Sequence, residues 1–202
     1  MNKSDHTRAQ QPLAKGSARA MLFELQVEQH HHDEKYHREI ARLPIHQRLN
    51  HMALHFAKYA GKIAAAVEEN EISATCVDIL IIALSTSNVL NGELWELLEA
   101  GEHEYPGLIA FGLALAQRND VSVADHNSLL RATVIASGRV AAACEKIDHL
   151  EPIAFRTEIS VGVGRLGTLA LAMLGGRGVD PGNAVRERLA HVKERLKLHG
   201  RI

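Results

Sequence analysis

The chain has 202 residues, of which 46% are hydrophobic, 23% are charged and 4% are aromatic. The hydrophobic share is too high for a disordered chain, and the formal net charge of -1 excludes an overall basic field for nucleic acid. Two cysteines, Cys76 and Cys144, lie in separate apolar stretches, which favours buried thiols in a reducing compartment over a disulfide framework. Thirteen histidines are the one compositional excess.

The N-terminal segment is polar and lacks the apolar centre of a signal peptide. We expect residues 1–18 to form a flexible tail. The longest apolar runs are far shorter than the roughly 20 residues that a membrane-spanning helix needs. These features predict a cytoplasmic protein without a membrane partner.

The first half of the sequence shows apolar residues at helical spacing. The clearest stripe, beginning at Leu49, advances in steps of three and four, and Pro44 separates it from a helix with a polar, histidine-rich middle that is prone to break. The predicted helices here span residues 18–43, 45–69, 73–90, 93–99 and 106–117. The third is apolar on most sides, so we expect it at the centre of the fold.

The second half predicts three more helices. The first begins after its cap, Asp125 or Asn127, and ends at about residue 147. The second spans residues 152–174. The last starts with Asp180 as the cap and Pro181 at the first helical position. No stretch alternates with a period of two for long enough to predict a strand, so the expected fold class is all-α.

A short segment occurs twice. Residues 60–66 (AGKIAAA) match residues 137–143 (SGRVAAA), 77 positions later. Two helices rich in small residues can match by chance. Alternatively, the match reflects an internal duplication of the chain. The duplication predicts a first helical repeat over residues 19–100 and a second over residues 101–202, packed together in one bundle.

Residues 58–64 (KYAGKIA) and 78–90 (DILIIALSTSNVL), with their counterparts after residue 128, resemble the MazG-like branch of the all-α nucleoside triphosphate pyrophosphatases. The resemblance covers roughly residues 50–91 and 128–196. It implies a bundle of two MazG-like helical hairpins in tandem and a nucleotide ligand. It also implies a homo-oligomer or another protein partner, because family members bury hairpin faces between chains.

The sequence departs from this family at the magnesium ligands. Family members bind Mg²⁺ through Glu-x-x-Glu on one helix and Glu-x-x-Asp on the next. Of the eight positions concerned, only Asp78 is acidic; the others are Tyr59, Lys62, Thr75, Ala136, Arg139, Gly162 and Arg165. The resemblance therefore implies a MazG-like protein without most of its Mg²⁺ ligands, acting as a non-catalytic nucleotide-binding or protein-interaction module.

The basic replacements allow two interpretations. Lys and Arg bind phosphate without a metal, so these side chains can line a phosphate-binding cleft between the hairpins. Alternatively each base forms a structural ion pair across the bundle, as Lys62 would with Asp78. The candidate phosphate-binding residues are Lys58, Lys62, Arg139 and Arg165.

His51 and His55 stand four residues apart, the spacing at which two imidazoles of one helix can share a transition metal. Asp78 or His46 would supply a third ligand, and the protein would then be a metal-dependent nucleotide pyrophosphohydrolase with a remodelled site. Alternatively both histidines border the core. The histidine-rich tract from His30 to Glu34, with His37 one turn later, can also bind metal, but exposed tracts of this kind usually do so weakly and without function, so it is interpreted as solvated surface.

A structural subunit of a larger assembly is the third functional alternative.

Overall fold

The computed structural model describes residues 16–98, 100, 103–118 and 125–194, and within these ranges the chain forms helices and no strand. The predicted all-α class is therefore confirmed. The described helices are α1 (Ala18–Tyr36), α2 (Arg38–Ala41), α3 (Ile45–Ala65), α4 (Glu69–Val89), α5 (Leu94–Leu97), α6 (Leu108–Arg118), α7 (His126–Asp148), α8 (Phe155–Gly176) and α9 (Pro181–Glu194).

Side-chain caps explain where several helices begin. The Asp125 carboxylate accepts from the Ser128 amide at 3.0 Å, and Asp180 accepts from the Asn183 amide at 3.0 Å. Each cap satisfies a backbone donor that the first helical turn leaves unpaired. Glu68 and Glu71 form a capping box at the start of α4, so this helix begins at Glu69 rather than at residue 73.

The helix predicted over residues 18–43 is divided in two. His37 has φ of -128° and ψ of 43°, a non-helical conformation that ends α1 before α2 begins at Arg38. At the other end, Ser17 caps α1 by accepting from the Ala20 amide, and Ala18 is fully buried. Residues 1–15 of the predicted tail lie outside the described residues. Residues 16–18, which the prediction also assigned to the tail, lie at the start of α1.

Two helical pairs form the centre of the bundle. Helix α3 packs on α4 and α7 packs on α8, while α3 also contacts α7 and α4 contacts α8. Helix α6 lies along α8, and α1 and α9 both cover α4. Buried apolar side chains from both halves of the chain join in one cluster, so the two predicted repeats share a single core.

Helices α4 and α8 are long and apolar enough, by length and composition alone, to cross a membrane. Burial within the bundle accounts for that composition, because 72% of the most apolar window of α4 and 78% of that of α8 is buried by protein. They are the inner helices of the bundle. The sequence expectation of a central apolar helix after residue 73 is met by α4.

Candidate functional site

A polar cavity of about 270 Å³ opens between α1, α3, α4 and α9. The apolar stripe of α3 packs into the core, which turns the adjacent stripe of His51, His55 and Lys58 toward this cavity. Asp78 of α4 and Arg188 of α9 line the same space. The structure therefore brings the three predicted metal ligands, His51, His55 and Asp78, to one cavity.

The two α3 imidazoles contact each other directly. Nε2 of His55 lies 3.0 Å from Nε2 of His51, while Nδ1 of His55 lies 3.0 Å from Lys58 Nζ and 3.2 Å from the Tyr59 hydroxyl. Because Lys58 and Tyr59 both offer hydrogens to Nδ1, the tautomer protonated at Nε2 lets His55 donate to His51. The pair thus forms a short chain of hydrogen bonds along α3.

Both imidazoles are held in the neutral state. Burial, followed by the positive charge of Lys58, lowers the pKa of His55 to about 4, and the same two causes lower the pKa of His51. A neutral imidazole is the form that binds metal ions or accepts a proton. At neutral pH the positive charge beside these two rings therefore comes from Lys58.

Asp78 is nearly buried and is bound by two cations. Arg188 donates from Nε to Oδ1 at 2.7 Å and from Nη2 to Oδ2 at 3.2 Å, and Lys62 Nζ lies 3.4 Å from Oδ2. The predicted Lys62–Asp78 ion pair is confirmed. Since both carboxylate oxygens have basic partners, Asp78 is committed to this ion pair, and its oxygens do not converge with the His51 and His55 nitrogens on one point.

The same contacts test the magnesium site of the resembled family. Lys62 and Thr75 stand beside Asp78 where that family has carboxylates, and the Lys62 ammonium is already bound to the one acid that remains. Arg188 is bound to the same carboxylate, so a metal ion there would be a third positive charge and would be repelled by the other two. These residues do not fit a Mg²⁺ ion between paired acids.

Arg139 and Arg165 lie on another side of the bundle. They line a separate cavity of about 460 Å³ between α7 and α8, together with Ala136 and Gly162. Arg139 also forms an ion pair with Glu158 at 2.8 Å. The four predicted phosphate-binding residues therefore do not share one cleft: Lys58 and Lys62 belong to the α3 side, and the two arginines belong to the α7–α8 side.

Part of the histidine-rich tract belongs to the site, contrary to its interpretation as solvated surface. His30 and His31 are exposed, but the His32 side chain is only 9% accessible, and it lines the cavity with Asp33 and His37. Burial would raise the pKa of Asp33. The close approach of His32 and hydrogen bonds from Ser85 and Gln29 outweigh this and hold the pKa below its ordinary value.

The spacing of residues along α1 could have predicted that Asp33 faces inward. The apolar face of α1, which includes Leu22 and Leu25, continues through the buried side chains of Gln26 and Gln29 toward Asp33, at steps of three and four. The polar residues thus prolong an inward-facing stripe. Arg188 gave no comparable signal, since its partner Asp78 lies 110 positions away in sequence.

The chain matches no protein-family model, and comparison with curated proteins and with solved structures found no match either.

Proposed function

We propose that the protein binds a phosphate-bearing ligand, of the nucleotide class that the MazG-like resemblance implies, at the α3–α9 end of the polar cavity. Binding would rest on basic side chains rather than on magnesium held by paired acids. In this proposal the protein is a binding module rather than a pyrophosphohydrolase of the standard MazG design.

The observation that carries this proposal is the imbalance of charge around Asp78. Lys62 and Arg188 share this one carboxylate, and Lys58 makes no ion pair within the described ranges. Burial, and next the charge of Lys62, lower the pKa of Lys58, and Arg188 adds to the effect. An anion placed against Lys58 would relieve this repulsion.

The groups around Lys58 suit a phosphate. Its ammonium is exposed and so accessible to a ligand, while its Nζ also lies 4.6 Å from the centre of the Tyr59 ring. Ammonium, guanidinium and hydroxyl groups all donate to phosphate oxygens, and charged donors make the stronger hydrogen bonds. The geometry of Lys58, Arg188 and Tyr59 is consistent with an oxyanion held between α3 and α9.

The bundle arrangement supports the finer fold proposal of two MazG-like hairpins. The repeat matches α3 with α7, and these two helices pack on each other, as do α4 and α8. An approximate two-fold relation between hairpins predicts such contacts between counterparts. We infer that the duplication divides the chain near residue 100, as the sequence predicts.

Ligand-induced thermal stabilisation tests the proposed function. With tag-free protein in a metal chelator, we expect pyrophosphate or a nucleoside triphosphate to raise Tm in a concentration-dependent way, because it binds only the folded chain. Lys58→Ala should lose most of this increase. The matched control is Lys146→Ala, which removes an exposed lysine from the last turn of α7.

Two outcomes would contradict phosphate binding at this site. One is a Tm that does not change with any of these ligands, with or without divalent ions. The other is an increase that Lys58→Ala and Lys146→Ala reduce equally, because the effect would then come from general charge on the surface.

A metal-dependent phosphohydrolase is the second candidate, and the neutral His51–His55 pair is the observation that favours it. Neutral imidazoles beside a phosphate-binding cation are the groups that a metal-assisted hydrolysis uses to bind the ion or to accept a proton. This candidate requires phosphate or pyrophosphate release from a nucleotide only when a divalent metal is added. A release assay with His51→Ala and His55→Ala separates it from the binding module.

We propose a homodimer that forms through the α7–α8 side of the bundle. Val134, Ile135 and Val161 of α7 and α8 are 51%, 64% and 45% exposed, and the last two line the α7–α8 cavity. Exposed apolar side chains grouped in this way favour a protein contact. A second copy of the chain is the partner that the resemblance implies.

A further inference from the structure

The cavity also holds a group of side chains with no role in the proposed phosphate site. A ring nitrogen of His32, a carboxylate oxygen of Asp33 and a ring nitrogen of His37 all lie within 4.8 Å of one another. Among the described residues, this is the set of three such ligand atoms that converges on one point. All three side chains line the polar cavity.

The imidazole of His32 is buried without hydrogen bonds in the part of the chain that the structure describes. Its side chain is only 9% exposed, and neither ring nitrogen has a hydrogen-bond partner among the described residues. A neutral imidazole has one donor and one acceptor, and burying either without a partner destabilises the folded state. A native protein rarely retains such a group without a ligand, an ion or a water for it to bind.

Asp33 is oriented as metal-binding carboxylates usually are. Its Oδ2 accepts from the Ser85 hydroxyl at 2.8 Å and from the Gln29 amide, while Oδ1 faces Nδ1 of His32 at 3.8 Å. Hydrogen bonds to one oxygen fix the carboxylate and leave the other for an ion. The Ser85 and Gln29 contacts also favour the ionised form that a metal requires.

We propose that His32, Asp33 and His37 bind a divalent first-row transition metal, with Zn²⁺ as the ion that their chemistry fits best. Zinc takes imidazole nitrogen and carboxylate oxygen at about 2.0–2.2 Å, which sets tetrahedral ligand atoms about 3.4 Å apart. The 3.8 Å between His32 Nδ1 and Asp33 Oδ1 is near that spacing. An ion there would give one of the two unpartnered His32 ring nitrogens a ligand bond.

His51 connects this centre with the rest of the site. It lines the same cavity as the three proposed ligands. Water or a ligand from the cavity would fill the fourth position. Three protein ligands and one open position distinguish catalytic from structural zinc sites.

Metal binding is measured with the metal alone, so its failure and the failure of phosphate binding are separate results. The experiment uses the tag-free full chain, stripped with chelator, and titrated with Co²⁺ and with Zn²⁺. Visible absorption of Co²⁺ reports its coordination, and elemental analysis after gel filtration gives the Zn²⁺ stoichiometry. We expect one ion per chain.

The neighbouring histidines provide a matched control. His30→Ala/His31→Ala removes two exposed imidazoles of the same tract and should retain the site. His37→Ala and Asp33→Asn should each weaken Co²⁺ affinity at least about 100-fold, since loss of an outer-shell partner alone costs 10–100-fold. His32→Ala should do the same, and circular dichroism verifies that each variant is folded.

The proposal is overturned if the wild-type chain retains no ion. It is equally overturned if His30→Ala/His31→Ala removes binding while His37→Ala and Asp33→Asn do not, since the tract would then bind adventitiously. Because His37 lies at a helix junction and Asn matches the shape of Asp, these two variants keep the test valid even if His32→Ala does not fold.

Discussion

At the residue scale, the chemistry of the molecule lies in the protonation states around His55. Its Nδ1 accepts hydrogen bonds from Lys58 and Tyr59, and its Nε2 contacts Nε2 of His51. These contacts, together with burial, keep the imidazole neutral and leave Lys58 as a charge without an acid partner among the described residues. Lys58 thus offers a positive charge to an anion, and the neutral rings of His51 and His55 can bind a metal ion or accept a proton.

The lowered pKa of His55 predicts how stability depends on pH. The unfolded chain binds a proton at His55 near pH 6.5, whereas the folded chain binds it only near pH 4. Stability contributed by the neutral ring is therefore present above about pH 6.5 and is lost as the pH falls toward 4. The free energy of unfolding of the wild type relative to His55→Gln should be smaller at about pH 4.5 than at about pH 7.5.

Urea denaturation at both pH values measures this difference. His30→Gln is the control for loss of a histidine from an exposed position of α1. A wild-type advantage that grows as the solution is acidified would contradict the buried, neutral state of His55.

At the scale of the elements, two glycines set how closely α6 and α8 approach. A Cβ on Gly112 would lie 2.3 Å from the Leu171 carbonyl oxygen, and one on Gly175 would lie 2.7 Å from the Gly112 Cα. Both neighbours are backbone, which cannot move aside as a side chain can. This crossing helps to position α8, the inner helix against which α4 and α7 pack.

Replacing one of these glycines should therefore destabilise the fold. We expect Gly112→Ala to lower the free energy of unfolding by about 2 kcal/mol, because the added methyl overpacks the crossing. Gly61→Ala is the matched control, since a Cβ there meets nothing within 4 Å; it should stabilise α3 by about 0.5–1 kcal/mol. Chemical denaturation measures both, and equal effects of the two substitutions would refute the close approach.

Helices could be predicted from the sequence where the local signal was strong. The apolar stripe of α3 and the Asp180–Pro181 start of α9 were sufficient, and the predicted Lys62–Asp78 pair joined neighbouring helices. The polar, histidine-rich middle of the first predicted helix also indicated a break, which the structure places at His37. The burial of His32 depends on how α1 packs in the bundle, which spacing along the chain does not show. Arg188 joins Asp78 from the far end of the chain, so neither spacing nor composition could identify it.

At the scale of the whole molecule, the cavity and the α7–α8 face carry different proposals. The cavity joins α1 and α9 with the first hairpin, whereas Val134, Ile135 and Val161 lie on the second hairpin. Ligand binding and self-association would therefore use different surfaces. The two can then be disrupted independently.

The proposed dimer predicts a specific effect of charge on the α7–α8 face. Ile135→Lys should convert a concentration-dependent dimer to a monomer, because a buried ammonium there would add to the positive charge of Arg139 and Arg165, which line the same cavity. Leu54→Lys, at a 70% exposed site on α3, is the control and should leave the dimer intact. Gel filtration with light scattering measures the mass. A wild-type chain that is monomeric at all concentrations would refute the dimer.

The central claim is that the cavity between α1, α3, α4 and α9 is the functional site, and the side-chain nitrogens of its histidines report on it directly. The most direct measurement is a histidine imidazole ¹H–¹⁵N NMR spectrum of the tag-free chain, titrated with pyrophosphate in chelator. The account predicts saturable shifts at His51 and His55 and none at His30, His31 or His126. Absence of shifts at His51 and His55, or shifts confined to the exposed histidines, would contradict it.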